Sequence, residues 1–240
     1  MITSFSKKKK ENKEKIATLV NQGIIEWSKP RLENFNKLMA YYRCAIMEIE
    51  TKLNVFNEEF SLQYDRDPIS GIKTRLKKID SIKEKLEKNN FPVTLESMEE
   101  NLNDIAGVRV ICSFPEDVYM IAESLLKQDD IQLLEKKDYI ANPKPNGYRS
   151  LHLIVTVPIF LANEKRIMKV EIQLRTIAMD SWAALEHQIR YKKEVEFTDE
   201  MADELFHCAQ LSAELDATMD KLRNMAMIKN QKIKKAGMQG

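Results

Sequence analysis

At 240 residues, 43% apolar and 31% charged, the chain reads as one large globular domain or a domain with helical additions. A net charge of +1 excludes a global basic field for nucleic acid, so any attraction for phosphate must come from local clusters. Cys44, Cys112 and Cys208 are far apart and form no CxxC; His207 beside Cys208 has no partners for a metal site. The N-terminus is polar and lysine-rich, without the apolar core of a signal peptide. The longest apolar stretch, 154–162, contains Pro158 and is too short to span a bilayer. A reduced, cytoplasmic protein with no membrane segment is the expectation.

In chain order, Ile16, Leu19, Val20 and Ile24 predict a short amphipathic helix within the charged segment 7–25, ending near Gly23, with the lysine run at 7–10 as a solvated cap or an RNA or partner contact. A long helix is expected over 30–60, where Leu32, Phe35, Leu38, Met39, Tyr42, Ile46, Ile49, Leu53 and Phe56 recur at helical steps. The stripe Ile72, Leu76, Ile79, Ile82 and Leu86 predicts another helix over 72–88. Lys77, Ser81 and Lys85, four apart, would share a second face, with Arg75 near the helix start. A helix N-terminus offers free amides and a positive pole, so this cluster suits phosphate. After Phe91-Pro92, a short connection through Met98 leads to Asn103 and Asp104, ahead of a buried-type strand at 108–112; Asp104 before Gly107 also suits a turn or cap. A helix at 115–127 and an edge strand at 131–139 follow.

The segment 142–150, Asn-Pro-Lys-Pro-Asn-Gly-Tyr-Arg-Ser, is a rigid loop with little entropy to lose on binding, presenting Lys144, Tyr148 and Arg149. A strand over 151–157 carries His152, which read alone is structural. Residues 168–175 alternate: Met168, Val170, Ile172 and Leu174 are apolar, while Lys169, Glu171, Gln173 and Arg175 are polar. Thr176 should cap a helix to about 193, and a last helix is expected over 198–227 before a basic, disordered tail from 229. The chain has no GxxxxGK[ST] loop, no GxGxxG and no zinc frame. What remains is Asp104 and Glu171 among cations. Magnesium needs only one or two protein carboxylates, so the pair is expected to hold Mg2+ and a polyphosphate in a nucleotide-transfer site.

Four segments together resemble the synthetase domain of the RelA/SpoT-like alarmone enzymes, and in particular the small alarmone synthetases. They are Arg75-Leu76-Lys77 with Ser81 and Lys85; Asp104-Ile105-Ala106-Gly107-Val108-Arg109; Pro143-Lys144-Pro145-Asn146-Gly147-Tyr148-Arg149-Ser150-Leu151-His152; and Glu171-Ile172-Gln173-Leu174-Arg175-Thr176 followed by Trp182-Ala183 and Glu186-His187. The resemblance implies an α+β fold, a mixed β-sheet of about five strands flanked by helices and similar to the nucleotidyltransferases, with long N- and C-terminal helices. It implies a helical extension over 1–60, a synthetase domain over 61–195, and a helix with a basic tail over 196–240. It implies Mg2+-dependent pyrophosphate transfer from ATP to the 3′-hydroxyl of GDP or GTP, possible also with GMP, giving (p)ppGpp and AMP. The large members' hydrolase and regulatory regions have no counterpart in these residues, which implies synthesis only.

By position, Asp104 would ligate the metal, and Glu171 would ligate it, act as base, or both. Arg75 and Arg109 would sandwich adenine, a use suited to flat guanidinium groups. Lys77, Ser81 and Lys85 would bind ATP phosphates. Tyr148 would stack on guanine, with Lys144, Asn146, His152 and Gln173 on the rest of the acceptor. The small enzymes resemble homotetramers. An RNA-binding module and a nucleotidyltransferase that moves AMP are the alternatives; the first lacks serial aromatics and a basic surface.

Overall fold

The structure, a computed structural model, describes residues 29–64, 66–190 and 197–237. The helix expected within 7–25 lies outside them. The chain falls into two compact units, Met1–Ala40 and Tyr41–Gly240. Of the first, residues 29–40 are described, as the opening turns of helix α1 (Lys29–Tyr64).

The second unit is built on a five-stranded mixed sheet. In chain order its remaining elements are β1 (Ile69–Leu76), α2 (Ile79–Lys88), α3 (Leu95–Asn101), β2 (Ala106–Cys112), α4 (Pro115–Leu126), β3 (Gln132–Asp138), β4 (Leu151–Phe160), β5 (Lys165–Thr176), α5 (Ile177–Arg190) and α6 (Asp199–Gly237). The strand order is β1-β2-β5-β4-β3, with only β2 and β5 parallel. The α+β expectation with about five strands therefore holds.

The alternation read in β5 explains why the sheet has two unlike faces. Val170, Ile172 and Leu174 are fully buried beside Val108 and Val110 of β2 and Leu151, Leu153 and Val155 of β4. Val118, Ile121 and Leu125 of α4, which packs on β2 and β5, complete this core. Within the second unit α1 buries Tyr42, Ile46, Ile49, Leu53 and Phe56 at helical steps. It reaches the sheet's surroundings through Lys52 to Asp130 at 2.8 Å and Asn57 Oδ1, which accepts from the Ile69 amide at 3.0 Å.

Three expectations are corrected. The stripe from Ile72 to Leu86 does not form one helix: the structure divides it into strand β1 and the shorter α2. Residues of β1 pair antiparallel with β2, Lys73 opposite Arg109 and Arg75 opposite Gly107, so an edge pairing supplied by distant residues overrides a helical spacing. Lys78 is extended at φ −69° and ψ 150°, and marks the break. Arg75 therefore stands on a strand, not at a helix start. Secondly, Leu95–Asn101 forms a short helix where a plain connection was expected; Thr94 caps it, accepting from the Ser97 amide at 3.2 Å. Finally, no disordered tail begins at 229, because α6 continues to Gly237.

Candidate active site

The face of the sheet opposite α4 is polar across its width. Cross-strand register puts Lys73 and Arg75 of β1, Arg109 of β2, Glu171, Gln173 and Arg175 of β5, His152 of β4 and Lys137 of β3 on that one face. Because side chains alternate at every residue, the same pairing that buries Ile172 and Leu174 must present Glu171 and Gln173 here.

Glu171 is the centre of this row. Its side chain is 13% exposed and accepts from Arg75 Nη2 at 3.4 Å and Gln173 Nε2 at 3.1 Å, with His152 Nδ1 at 3.8 Å. Gly107, its register partner, makes room for Arg75: a Cβ there would meet Arg75 Cγ and Nε at 3.0 Å. A cleft of about 130 Å³ opens at this point, lined by residues including Arg75, Gly107, Arg109, Glu171 and Gln173.

Asp104 lies just before β2, three residues ahead of Gly107, the register partner of Glu171 on the parallel neighbouring strand. Its Oδ2 accepts from Lys77 Nζ at 2.7 Å and Lys85 Nζ at 2.8 Å. Burial pushes the Asp104 carboxyl up, but the two lysines outweigh it and hold it below the ordinary carboxylate range. Lys77 precedes α2 and Lys85 lies in its last turn, so they converge from two elements rather than along one helix face. Ser81 is half-buried in the first turn of α2, whose N-cap residue Lys78 makes no side-chain cap bond. The amides of that turn are available to an anion.

The residues fit a divalent cation. Asp104 Oδ1 is buried and has no hydrogen-bond partner, an oxygen aimed at nothing the protein supplies. Among the described residues no group of three or more histidine, cysteine or acidic side chains could hold a metal ion. A magnesium ion that takes its other ligands from phosphate and water does not need one.

On the far side of Glu171, the loop before β4 turns at Gly147, with φ +85°. The Asn146 side chain accepts from the Tyr148 amide at 3.2 Å, and its own amide nitrogen reaches Glu186 at 3.5 Å. Asn146 thus shapes the loop. A Cβ on Gly147 would meet the Ala209 Cβ of α6 at 2.4 Å. Gly147→Ala is expected to cost about 1–3 kcal/mol, from the left-handed backbone and the clash together; urea unfolding of the variant checks this.

Tyr148 is held from several sides. Its hydroxyl accepts from Arg175 Nη2 at 2.7 Å and Ser150 Oγ at 2.9 Å, and lies 2.8 Å from His152 Nε2. With two donors already pointing at it, the hydroxyl gives its own proton to Nε2, which assigns the His152 proton to Nδ1, the nitrogen facing Glu171. Tyr139 packs edge-on to both rings, and Lys144 Nζ sits 4.7 Å from the Tyr139 ring centre and 5.1 Å from that of Tyr148.

Burial, then the charges of Arg175 and Lys144, push the His152 imidazole down to about 3. The unfolded ring binds a proton near pH 6.5 and the folded one does not. Stability from this group is therefore complete above about 6.5 and is lost as pH falls from there toward the folded value. The His152 ring is expected to show no titration between about pH 8 and 5 in a nitrogen-correlated NMR experiment.

The structure brings Arg75, Arg109, Gln173, His152 and Tyr148 onto the same face as Glu171, and places Lys77 and Lys85 on Asp104. Lys144 stands over the aromatic pair. Asn146 holds the Tyr148 amide and reaches Glu186, and Ser81 stands in the first turn of α2.

Sequence reasoning missed Asp180. In the first turn of α5, it accepts from Lys73 Nζ at 2.9 Å, Arg109 Nη1 at 3.1 Å and Arg175 Nη1 at 3.3 Å. Burial raises its carboxyl, and these cations lower it further, leaving it below the usual range. In sequence it is merely an acidic residue where a helix dipole favours one. Arg175, named in the sequence only as a polar position of the strand, is buried, and Tyr139 was missed; both look like ordinary strand residues until the loop folds back over them.

An α+β sheet with carboxylates and cations on one open face defines a class of protein suited to polyanionic ligands. The model of the region found in RelA/SpoT proteins matches residues 74–196. GTP pyrophosphokinase YwaC of Bacillus subtilis (strain 168) is 41% identical over 188 residues, 78% of this chain and 90% of YwaC. The crystal structure of small alarmone synthetase 2 from Bacillus subtilis is 38% identical with a TM-score of 0.73, covering 80% of this chain and 99% of the other. Small alarmone synthetase 1 from the same organism, bound to its product pppGpp, is 31% identical at a TM-score of 0.73, covering 81% and 99%. The chain belongs to the RelA/SpoT family.

Proposed function

We propose that this protein is a (p)ppGpp synthetase, transferring pyrophosphate from ATP to the ribose 3′-hydroxyl of GDP or GTP and releasing AMP, as in the stringent response. The similarity to a GTP pyrophosphokinase and to small alarmone synthetases supports this activity. The observation within the chain that carries it is the continuous polar face: Glu171 stands between the basic cleft of Arg75 and Arg109 and the aromatic loop of Tyr148.

In the reaction the 3′-oxygen attacks the β-phosphorus of ATP. The bond from that phosphorus to the oxygen bridging toward the α-phosphorus breaks, and AMP leaves with the oxygen. Glu171, with carboxylate oxygens facing the cleft, takes the 3′-hydroxyl proton, ligates the metal, or does both. Neutral His152 turns its Nδ1 proton toward Glu171. Arg75 and Arg109 offer two flat guanidinium groups to adenine, and Lys77, Ser81 and Lys85 meet the ATP phosphates beside the start of α2. Tyr148 offers its ring to guanine, with Lys144, Asn146, His152 and Gln173 around the rest of the acceptor. Asp104 and Glu171 are the residues that would hold Mg2+, which would neutralise polyphosphate charge when bound.

The synthetase unit would span 61–195, between helical segments 1–60 and 196–240, and the family match over 74–196 supports that division. No described helix is long and apolar enough to cross a membrane; cytoplasmic placement belongs to the proposal. So does a homotetramer, supported by exposed Leu211, Leu215, Leu222 and Met225 along α6 and checked by sedimentation.

ATP labelled at the γ-phosphate tests the reaction. Label on a guanosine nucleotide is the expected result; label released as free pyrophosphate would indicate AMP transfer instead. Tyr148→Ala is expected to raise KM for the guanosine substrate by about tenfold or more, the worth of one stacked base, with a smaller change for ATP. Equal losses for both would remove the stacking role.

A further inference from the structure

Arg175 is 4% exposed, and its guanidinium is divided among three directions. Nη2 donates to the Tyr148 hydroxyl at 2.7 Å and to Gln173 Oε1 at 2.8 Å; Nη1 donates to Asp180 Oδ1 at 3.3 Å. Its Cζ also lies 5.1 Å from the centre of the Tyr148 ring. Each of these partners leads on to a group already placed in the cleft. By taking the donor at Oε1, Gln173 must turn its amide nitrogen outward, and that nitrogen donates to Glu171 Oε2 at 3.1 Å. Asp180 Oδ1 is shared with Arg109 at 3.1 Å.

We propose that Arg175 is a positioning residue that locks the ATP side and the guanosine side of the site into one arrangement, through Asp180 and Arg109 on one side and Tyr148 on the other, with Gln173 oriented toward Glu171 between them. This inference rests on the pyrophosphate-transfer reading. The planar fork is what the role requires: three acceptors are met at fixed angles by one rigid group. Lysine has the charge but a single nitrogen, and cannot hold Tyr148 and Asp180 together.

The test compares wild-type protein with Arg175→Lys and Arg175→Gln by steady-state kinetics in both substrates, with thermal melting to confirm folding. Misplacing reacting groups by about 1 Å costs on the order of 100-fold. Arg175→Lys is therefore expected to lower kcat by about 10- to 100-fold and to raise KM for ATP and for the guanosine nucleotide together. Arg109→Ala serves as a one-sided control, raising KM chiefly for ATP. A folded Arg175→Lys variant with wild-type kinetics, or with only one KM changed, would overturn the coupling while leaving the reaction intact. A wild-type protein that transfers no pyrophosphate would overturn the reaction and the coupling with it. Should both Arg175 variants fail to fold, Tyr148→Phe keeps the question open to measurement, since it removes only the hydroxyl that Arg175 grips. A rise in KM for ATP, on the opposite side, supports the coupling; a rise confined to the guanosine substrate opposes it.

Discussion

Glu171→Gln should leave the fold intact and lower kcat by about 10²- to 10⁴-fold, the usual contribution of a positioned acid or base. Gln has nearly the same volume and keeps one oxygen for Arg75 Nη2 or Gln173 Nε2, the donors now at 3.4 and 3.1 Å. The core behind it, Ile172 and Val170, is untouched. What disappears is charge and basicity. The two roles left open for Glu171 separate on adding metal. If its main task is to ligate Mg2+, the variant requires a higher Mg2+ concentration and recovers part of its rate there. If its main task is to take the 3′-hydroxyl proton, kcat stays low at every Mg2+ concentration. Single-turnover transfer of labelled pyrophosphate, with circular dichroism to confirm folding, decides between them. Turnover near wild type would remove Glu171 from the chemistry altogether.

The parts of this site that could be read in the sequence are those whose signal is local. Alternation through β5 places Glu171 and Gln173 opposite the core because a strand's two faces are a property of the strand itself. The proline- and glycine-containing loop announces its shape for the same reason: Gly147, at φ +85°, and Asn146, which accepts from the Tyr148 amide, act within a few residues of each other. Strand β1 was hidden because its apolar residues continue the helical spacing of α2. Only pairing with β2, about 35 residues later, makes it a strand. Asp180 was hidden differently. Its three cationic partners come from β1, β2 and β5, and nothing near it in the chain hints that they converge. The convergence of Lys77 and Lys85 on Asp104 shows a third case: the residues were singled out correctly, although the helix face supposed to align them does not exist. Residue type carried that information, and the backbone supplied the meeting by another route.

Asp104→Asn is expected to reduce kcat/KM for ATP by about 100-fold or more, and to raise the Mg2+ concentration needed for half-maximal rate. The carboxylate has two separable uses. Oδ2 neutralises Lys77 and Lys85, whereas Oδ1 is buried with no protein partner. An asparagine removes the negative charge that both uses require, and it leaves Lys77, only 15% exposed, beside Lys85 without a counter-ion. Some loss of stability follows. Its pH dependence has a definite sign. The folded Asp104 carboxyl is held below its unfolded value, so its contribution is complete above about pH 4 and disappears as pH falls through the folded value. The variant should therefore differ most from wild type in thermal melts near neutral pH and converge with it in acid. The activity loss tells the two uses apart. Were Asp104 only a counter-ion for the lysines, its loss would change KM for ATP and leave the Mg2+ requirement where it was. A raised Mg2+ requirement in a folded variant is the outcome expected of an oxygen that waits for a cation, and an unchanged one would take Asp104 out of the metal site while keeping it in the phosphate site.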